Sequence, residues 1–392
     1  MRKVTISIAA LVLASCGSPN ETAVKIYVNQ KLYDKAIAQG NLALKTNPNN
    51  GDTYYFLGAA YYGKDAELKT EAASYGDSSE AFLKRAFECF EKAKALTPAS
   101  WGKSADDNIT SMFGRHYNRG VIAAKKSAWA EASLEYRLAS IADPENFESY
   151  YAHAGSLWPL AVDAKKAGRD QEFTEMTDAI LKDLDRVIEL KPSAKEKLVA
   201  TYQTKGDVLY KRGDTKGAQD NYSQAVALDP ENYELIMTMA DRFYTAGDWE
   251  NAIKYLQDEL SIQERLKLID AEDADGYTAL ANALSKLNRR EEAIAAYQKV
   301  LELKPNDTIS LFNVGVMHFK MGEESEKNNK AEDAKNSYNQ ALVIMNELIR
   351  VDPSNCRCYQ VRGFSERGVG DTAAAARDLK KYADCNSGTA KN

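Results

Sequence analysis

Helix breakers are scarce in this chain and histidine almost absent: 392 residues hold nine prolines, 22 glycines and three histidines. With so little Pro and Gly, little β-branched alternation, and Ala, Leu, Lys and Glu dominant, a loop-rich or sandwich fold is excluded and an all-α chain is expected. No apolar run of 18 or more follows residue 16, so the body carries no membrane-spanning helix signal. Positive charge is also in short supply. Discounting Arg2 and Lys3 leaves 49 basic against 57 acidic side chains, near −8, which argues against nucleic acid or broad anionic-lipid binding. His116, His153 and His318 have no second His four residues away. HExxH, GxSxG, Walker and dinucleotide-binding patterns are all missing, so no catalytic set is legible and neither cofactor nor enzyme activity is expected.

What is present begins at the N-terminus. Arg2 and Lys3 precede an uncharged run from Val4 to Leu13, the n-region and h-region of an export signal, too short to span a bilayer. Leu13-Ala14-Ser15-Cys16 resembles the bacterial lipobox. The resemblance implies a signal peptide over 1–15, acylation of Cys16 as the mature N-terminus, and a short linker over 16–20. Each buried acyl methylene contributes on the order of 0.8 kcal/mol to membrane anchoring. Gly17, where Asp often means inner-membrane retention in such lipoproteins, points to an outer-membrane lipoprotein facing the periplasm.

The body repeats itself. A small residue is followed by Pro twelve positions later at Ala36–Pro48, Ala86–Pro98, Ala132–Pro144, Ala218–Pro230, Ala293–Pro305 and Ala341–Pro353. Ile180–Pro192 keeps the interval with a larger residue, and Ala252–Glu264 keeps it without the proline. A second interval of twelve runs back to Gly120, Gly206, Ala240, Ala281 and Gly363, and such small pairs let two antiparallel helices approach closely. The unit is a helical hairpin of 34 residues. "YYFLGAAYY" with "AFECFEKAKALTP", "YQTKGDVLYKRGDTKGAQDNYSQAVALDP" and "YTALANALSKLNRREEAIAAYQKVLELKP" resemble the tetratricopeptide repeat, with its aromatic, Leu-Gly, Tyr, Ala, aromatic, Ala and Pro pattern. That resemblance implies an α-solenoid, a right-handed superhelix of about eight hairpins over 21–386, followed by a polar tail at 387–392. The hairpins fall roughly at 21–50, 51–98, 113–146, 147–192, 199–232, 233–266, 274–307, 308–353 and 356–386. The first, which lacks the first-helix pattern, is expected to cap the array beside the lipid.

In three hairpins the interval between small residues is stretched, by 16, 14 and 14 residues. The extra sequence is expected to form inserted turns at 63–80, 159–175 and 322–333 on one rim, either tolerated surface insertions or a lateral contact ridge. Further sequence separates repeats at 99–112 and 265–273.

The three histidines fall where the repeat packs hairpin on hairpin, and each is expected in the core. The many carboxylates are expected on solvated helix faces. Apart from Cys16, cysteine occurs as Cys89 and a late trio. Cys356 and Cys358 open the first helix of the last hairpin and Cys385 closes the second, so a disulfide from Cys385 to Cys358 or Cys356 is expected in an oxidising periplasm. With no His nearby, no metal site is expected.

In a tetratricopeptide solenoid, fixed first-helix positions line the concave groove. Here they are Tyr55 and Tyr62; Tyr117 and Lys125; Tyr151 and Trp158; Asp207, Tyr210 and Lys211; Asp241 and Tyr244; Asn282 and Lys286; Phe312, Phe319 and Lys320; Arg357, Phe364 and Arg367. Aromatic and Arg groups are the usual anchors of peptide binding; equally, the superhelix could bury them against its own neighbours. The Lys/Asn carboxylate-clamp combination is missing. The backbone-holding Asn of some family members occurs as Asn118 and Asn313, in repeats that are not adjacent. The resemblance implies a scaffold for other proteins or peptides in envelope assembly (outer-membrane protein, pilus and secretin, or peptidoglycan machinery), touching the membrane through its lipid alone. A second reading is a carbohydrate or cell-wall ligand module stacking sugars on Tyr and on Trp158.

Overall fold

The computed structural model describes residues 19–266 and 274–386. The expectations for the signal peptide, Cys16 and the 387–392 tail, and most of the 265–273 link, lie outside these residues. Among the described residues every regular element is an α-helix. No helix there is long and apolar enough to cross a membrane.

The helices pair in chain order into antiparallel hairpins, in two compact units. The first unit, ending at Leu228, holds α1 (Pro19–Asn29) with α2 (Tyr33–Thr46), α3 (Gly51–Glu67) with α4 (Tyr75–Leu96), α5 (Pro98–Lys125) with α6 (Trp129–Ala142), α7 (Phe147–Lys166) with α8 (Asp170–Leu190), and α9 (Lys195–Lys211) with α10 (Thr215–Leu228). The second holds α11 (Tyr233–Ala246) with α12 (Trp249–Leu266), α13 (Ala274–Lys286) with α14 (Arg290–Leu303), α15 (Thr308–Lys327) with α16 (Ala331–Val351), and α17 (Cys356–Gly368) with α18 (Thr372–Asn386).

The recurring "PNN", "PEN" and "PND" segments explain where one hairpin stops and the next starts. Proline ends the second helix, lacking an N–H for its ladder. Two residues on, Asn50, Asn146, Asn232 and Asp307 cap the next first helix, their side chains accepting from the N–H groups of Thr53 (2.8 Å), Glu148 (3.1 Å), Leu235 (3.0 Å) and Ser310 (2.7 Å). Such a cap contributes about 1 kcal/mol. Within the hairpins, eight of the nine turns pivot on one left-handed residue: Lys31, Ser127, Gly168, Gly213, Gly247, Asn288, Asn329 or Gly370.

The expected inserted turns are corrected by the structure. In α7/α8 and α15/α16 the turns stay tight, pivoting on Gly168 and Asn329, and the extra residues lengthen both helices to 20 and 21 residues, against 14 in α10, α11 and α14. Pro159 sits inside α7 and does not end it. In α3/α4 the helices are also longer, and only 68–74 remains as connection. Residues 99–112 are no separator: they form the first half of the 28-residue α5, whose buried Ala105, Ile109, Met112 and His116 recur at helical spacing. The physical reason is composition, because these stretches hold Ala, Lys, Glu and Met with few breakers, and added helix buries more than added loop.

The small-residue pairing is also refined. Ala132 and Ala218 are buried, but the helix opposite each glycine presents a tyrosine ring four residues later. A Cβ on Gly120 would lie 2.7 Å from the Tyr136 ring, and one on Gly206 would meet Tyr222. Each unit has its own core. In the first, Leu83, Ala86, Phe90, Met112 and Leu138 join α4, α5 and α6. In the second, Leu311, Met345, Leu348, Cys358 and Tyr359 join α15, α16 and α17.

Candidate partner-binding groove

The first helices carry the expected groove residues, and the structure treats them unequally. Tyr55 on α3 is stacked on Trp101 of α5 at 4.0 Å, with Trp101 Nε1 donating to Asp52 at 2.6 Å, so this ring is covered by the chain itself. Tyr62 is half-buried and burial raises its pKa. Tyr117 stacks on Phe113 at 5.1 Å and donates to Glu148 at 3.3 Å; burial, then the Glu148 charge, push its hydroxyl up to about 12. Asn118 is exposed. Tyr151 lies under Lys197 Nζ at 4.9 Å, and with Trp158 it packs half-buried against the α7–α8 core around Ile180 and Leu184. Tyr210 is half-buried on α9.

In the second unit the aromatics pair with one another and with arginine. Tyr244 meets Trp249 edge-on at 5.3 Å. Phe319 packs against Tyr338 at 5.8 Å and Phe364 at 6.2 Å. The guanidinium groups of Arg357 and Arg367 lie over Phe312 and Phe364 at 4.8 and 5.0 Å. Phe319, Phe364 and Arg367 line a cavity of about 300 Å³ together with Glu323, Glu326 and Tyr338. Asn313 donates to the Tyr297 hydroxyl at 2.8 Å, and that hydroxyl donates to Asn282 at 2.5 Å. Both amides are therefore engaged within the fold, which orients them without leaving their full bonding capacity to a ligand.

A larger cavity, about 490 Å³, opens between α11, α12 and α13. Tyr244 and Asn282 line it, with Asp241, Leu256, Glu259, Gln263 and Asp275. Glu259 and Gln263 were not expected from the groove positions, because they belong to a second helix. Their signal was a polar pair, four apart, on the same side as Tyr255, Leu256 and Ile262.

The least expected constellation lies in the first unit. His116 is fully buried, with Nδ1 2.7 Å from Glu135 Oε2 and Nε2 3.2 Å from Asp65 Oδ2. Asp65 accepts from Ser79 Oγ and from Arg115 Nη1 at 3.3 Å. Glu135 accepts from Tyr75 at 2.8 Å, whose oxygen takes a bond from Arg119 at 2.7 Å. Burial alone would push the His116 pKa down; hydrogen bonds and charge from Asp65 and Glu135 outweigh it and the pKa is raised. Burial likewise opposes ionisation of Asp65, yet bonding to His116 and Ser79 and the Arg115 charge hold its pKa down. Asp65 and Glu135 thus correct the expectation of solvated carboxylates. His153 is also nearly buried, Nδ1 lying 2.6 Å from Asp183 Oδ2, whereas half-buried His318 has its pKa lowered by desolvation.

Cys385 is bonded to Cys356, with Cα atoms 5.9 Å apart; Cys358 is buried and free, burial pushing its thiol up to about 11. Cys89 is buried as well.

Residues 204–265 and 274–307 match models of the tetratricopeptide repeat. The chain carries tetratricopeptide repeats. A TPR repeat-containing protein of Methanocaldococcus jannaschii is 23% identical over 88% of this chain and 59% of its own length. A Photosystem I assembly protein of Synechococcus elongatus is 26% identical over 47% of this chain and 82% of its own. The chain spans about three-fifths of the length of the first curated relatives it matches. The solved C-terminal part of a TPR repeat-containing protein from Cytophaga hutchinsonii superposes at TM-score 0.43, with 18% identity, over 69% of this chain and 96% of that one.

Proposed function

We propose that this chain is a lipid-anchored, periplasm-facing scaffold that holds other polypeptides in the groove of its tetratricopeptide hairpins, in the service of envelope assembly. The observation that carries the binding part is the run of half-exposed aromatic and exposed Arg groups on first helices, Tyr244, Phe319, Phe364, Arg357 and Arg367. Such groups bury large area at small entropic cost and are over-represented among interface anchors. Similarity supports it too: tetratricopeptide proteins act in protein–protein interaction, and relatives include an assembly protein and an Hsp70-Hsp90 organizing protein. The anchor rests on Leu13-Ala14-Ser15-Cys16 with Gly17.

Crosslinking in intact cells, followed by purification of the chain and identification of what comes with it, tests the scaffold. Envelope proteins are expected; the chain recovered alone would end this reading. Cys16→Ala is expected to release the protein from the membrane fraction, and unchanged retention would remove the lipid.

A further inference from the structure

Five helix ends of the first unit gather where α1 begins. Glu21, in the first turn of α1, accepts from Asn47 just past α2 at 3.3 Å and from Asn50 just ahead of α3 at 2.7 Å. Gly51, which opens α3, lies against Thr97, the residue joining α4 to α5. Asp52 accepts from Trp101 Nε1, in the first turn of α5, at 2.6 Å. The starts of α1, α3 and α5 and the ends of α2 and α4 therefore form one edge.

That edge is apolar for a solvated one. Leu42, one turn from the end of α2, is 45% exposed, and Leu96, the last residue of α4, is 37% exposed. The same helix ends bring two half-buried rings, Phe56 and Trp101, edge-on at 5.4 Å, with Trp101 also stacked on Tyr55. Charge does not set its character: Asp106 pairs with Lys94 at 2.7 Å, and the exposed charges have both signs, Lys25, Lys45 and Lys103 with Asp52 and Asp107.

Two observations select what covers it. Cys16 is three residues ahead of Pro19, so a lipid on Cys16 lies at most about 10 Å from the start of α1. The opposite ends of these hairpins are far from it, since α3 alone, at 17 residues, is about 25 Å long. The second observation is chemical. Amphipathic rings beside exposed leucines suit the boundary between acyl chains and headgroups, where the ring is buried and its polar atom stays bonded, as Trp101 Nε1 is to Asp52.

We propose that this edge rests on the bilayer surface, with Trp101, Phe56, Leu42 and Leu96 entering the headgroup region; the inference rests on the lipid-anchor reading above. The acyl group supplies attachment and the edge supplies orientation, so the first hairpins stand on the membrane with their α1–α2 and α3–α4 turns away from it. The contact is apolar rather than electrostatic and needs no anionic lipid.

The test places the full chain, acylated at Cys16, on phosphatidylcholine vesicles whose acyl chains are brominated near the headgroup, a short-range quencher of tryptophan. Part of the emission of the four tryptophans is expected to be quenched, and Trp101→Phe, which keeps a ring on Tyr55, is expected to remove that quenching while the chain still floats with the vesicles. Leu42→Glu with Leu96→Glu, at exposed positions where folding is not at risk, is expected to reduce the quenching at least roughly threefold with Trp101 in place. Quenching unaltered by either change, or none while the chain floats, would overturn the docking edge and leave the lipid anchor standing. A chain that carries no acyl group and does not float removes both.

Discussion

Two sets of buried polar groups, one in each unit, are finished differently. Around His116 every partner is supplied from within: Asp65, Glu135, Ser79, Tyr75 and two arginines close on one another, and the imidazole is out of solvent reach. On α12 the Gln263 side-chain oxygen is buried and has no hydrogen-bond partner among the described residues. The same hairpin architecture thus makes a clamp where its polar set is complete and carries an unsatisfied buried atom where it is not. A complete network in a low-dielectric interior rigidifies the fold, while a buried acceptor left without a donor costs about 1–3 kcal/mol.

The largest expected effect breaks the closed set. Asp65→Ala leaves Arg115 without its carboxylate and His116 with Glu135 alone, and breaking a buried ion pair from one side costs about 3–5 kcal/mol. The loss should appear as faster amide hydrogen exchange in α3–α6, with α11–α18 unchanged; uniform acceleration along the chain would show that the cluster does not act locally. Next comes the clip on the second unit. Cys356 and Cys385 are 29 residues apart, a loop whose closure stabilises by about 3–4 kcal/mol in the chain-entropy account. Cys385→Ser should free α17–α18 to exchange first, and protection unaltered by the substitution would deny the clip its role. Gly206→Ala places a methyl against the buried Tyr222 ring and should cost about 1–3 kcal/mol by overpacking. A thermal midpoint unchanged by that methyl would refute the close approach of α9 and α10.

The smallest expected effect is a pH signature. The His116 pKa is raised above 6.5 in the fold, so its contribution is complete below that value and fades as pH rises through the folded pKa. Asp65 is depressed below 3.8, so its contribution holds above that value and is lost as pH falls through its folded pKa. As pH rises above 6.5 the wild type should lose more stability than His116→Gln. Equal slopes would mean that the proton on His116 is not linked to folding.

Much of the fold was legible because its signals are local. The twelve-residue interval from Ala to Pro marks second helices, and the Asn or Asp two residues past Pro marks the next cap. The lengthened helices were misread as turns because stretched spacing says how many residues intervene and not what they form; the burial period through Ala105, Ile109 and Met112 carried that information. Asp65, His116 and Glu135 lie 51 and 19 residues apart, and only packing joins them. Each stands on the buried stripe of its helix, which is the one hint available. The choice between Cys356 and Cys358 turned on helix rotation: two residues are about 200° apart on the helix, so one faces α18 and the other the core.

The clamp also decides where this chain can be divided. Asp65 and Ser79 come from α3 and α4, His116 and Glu135 from α5 and α6. A cut between α4 and α5 would strand a buried carboxylate on one fragment and a buried imidazole beside a second carboxylate on the other. These two hairpins are therefore one folding unit, and a shortened version of the protein has to keep both or neither.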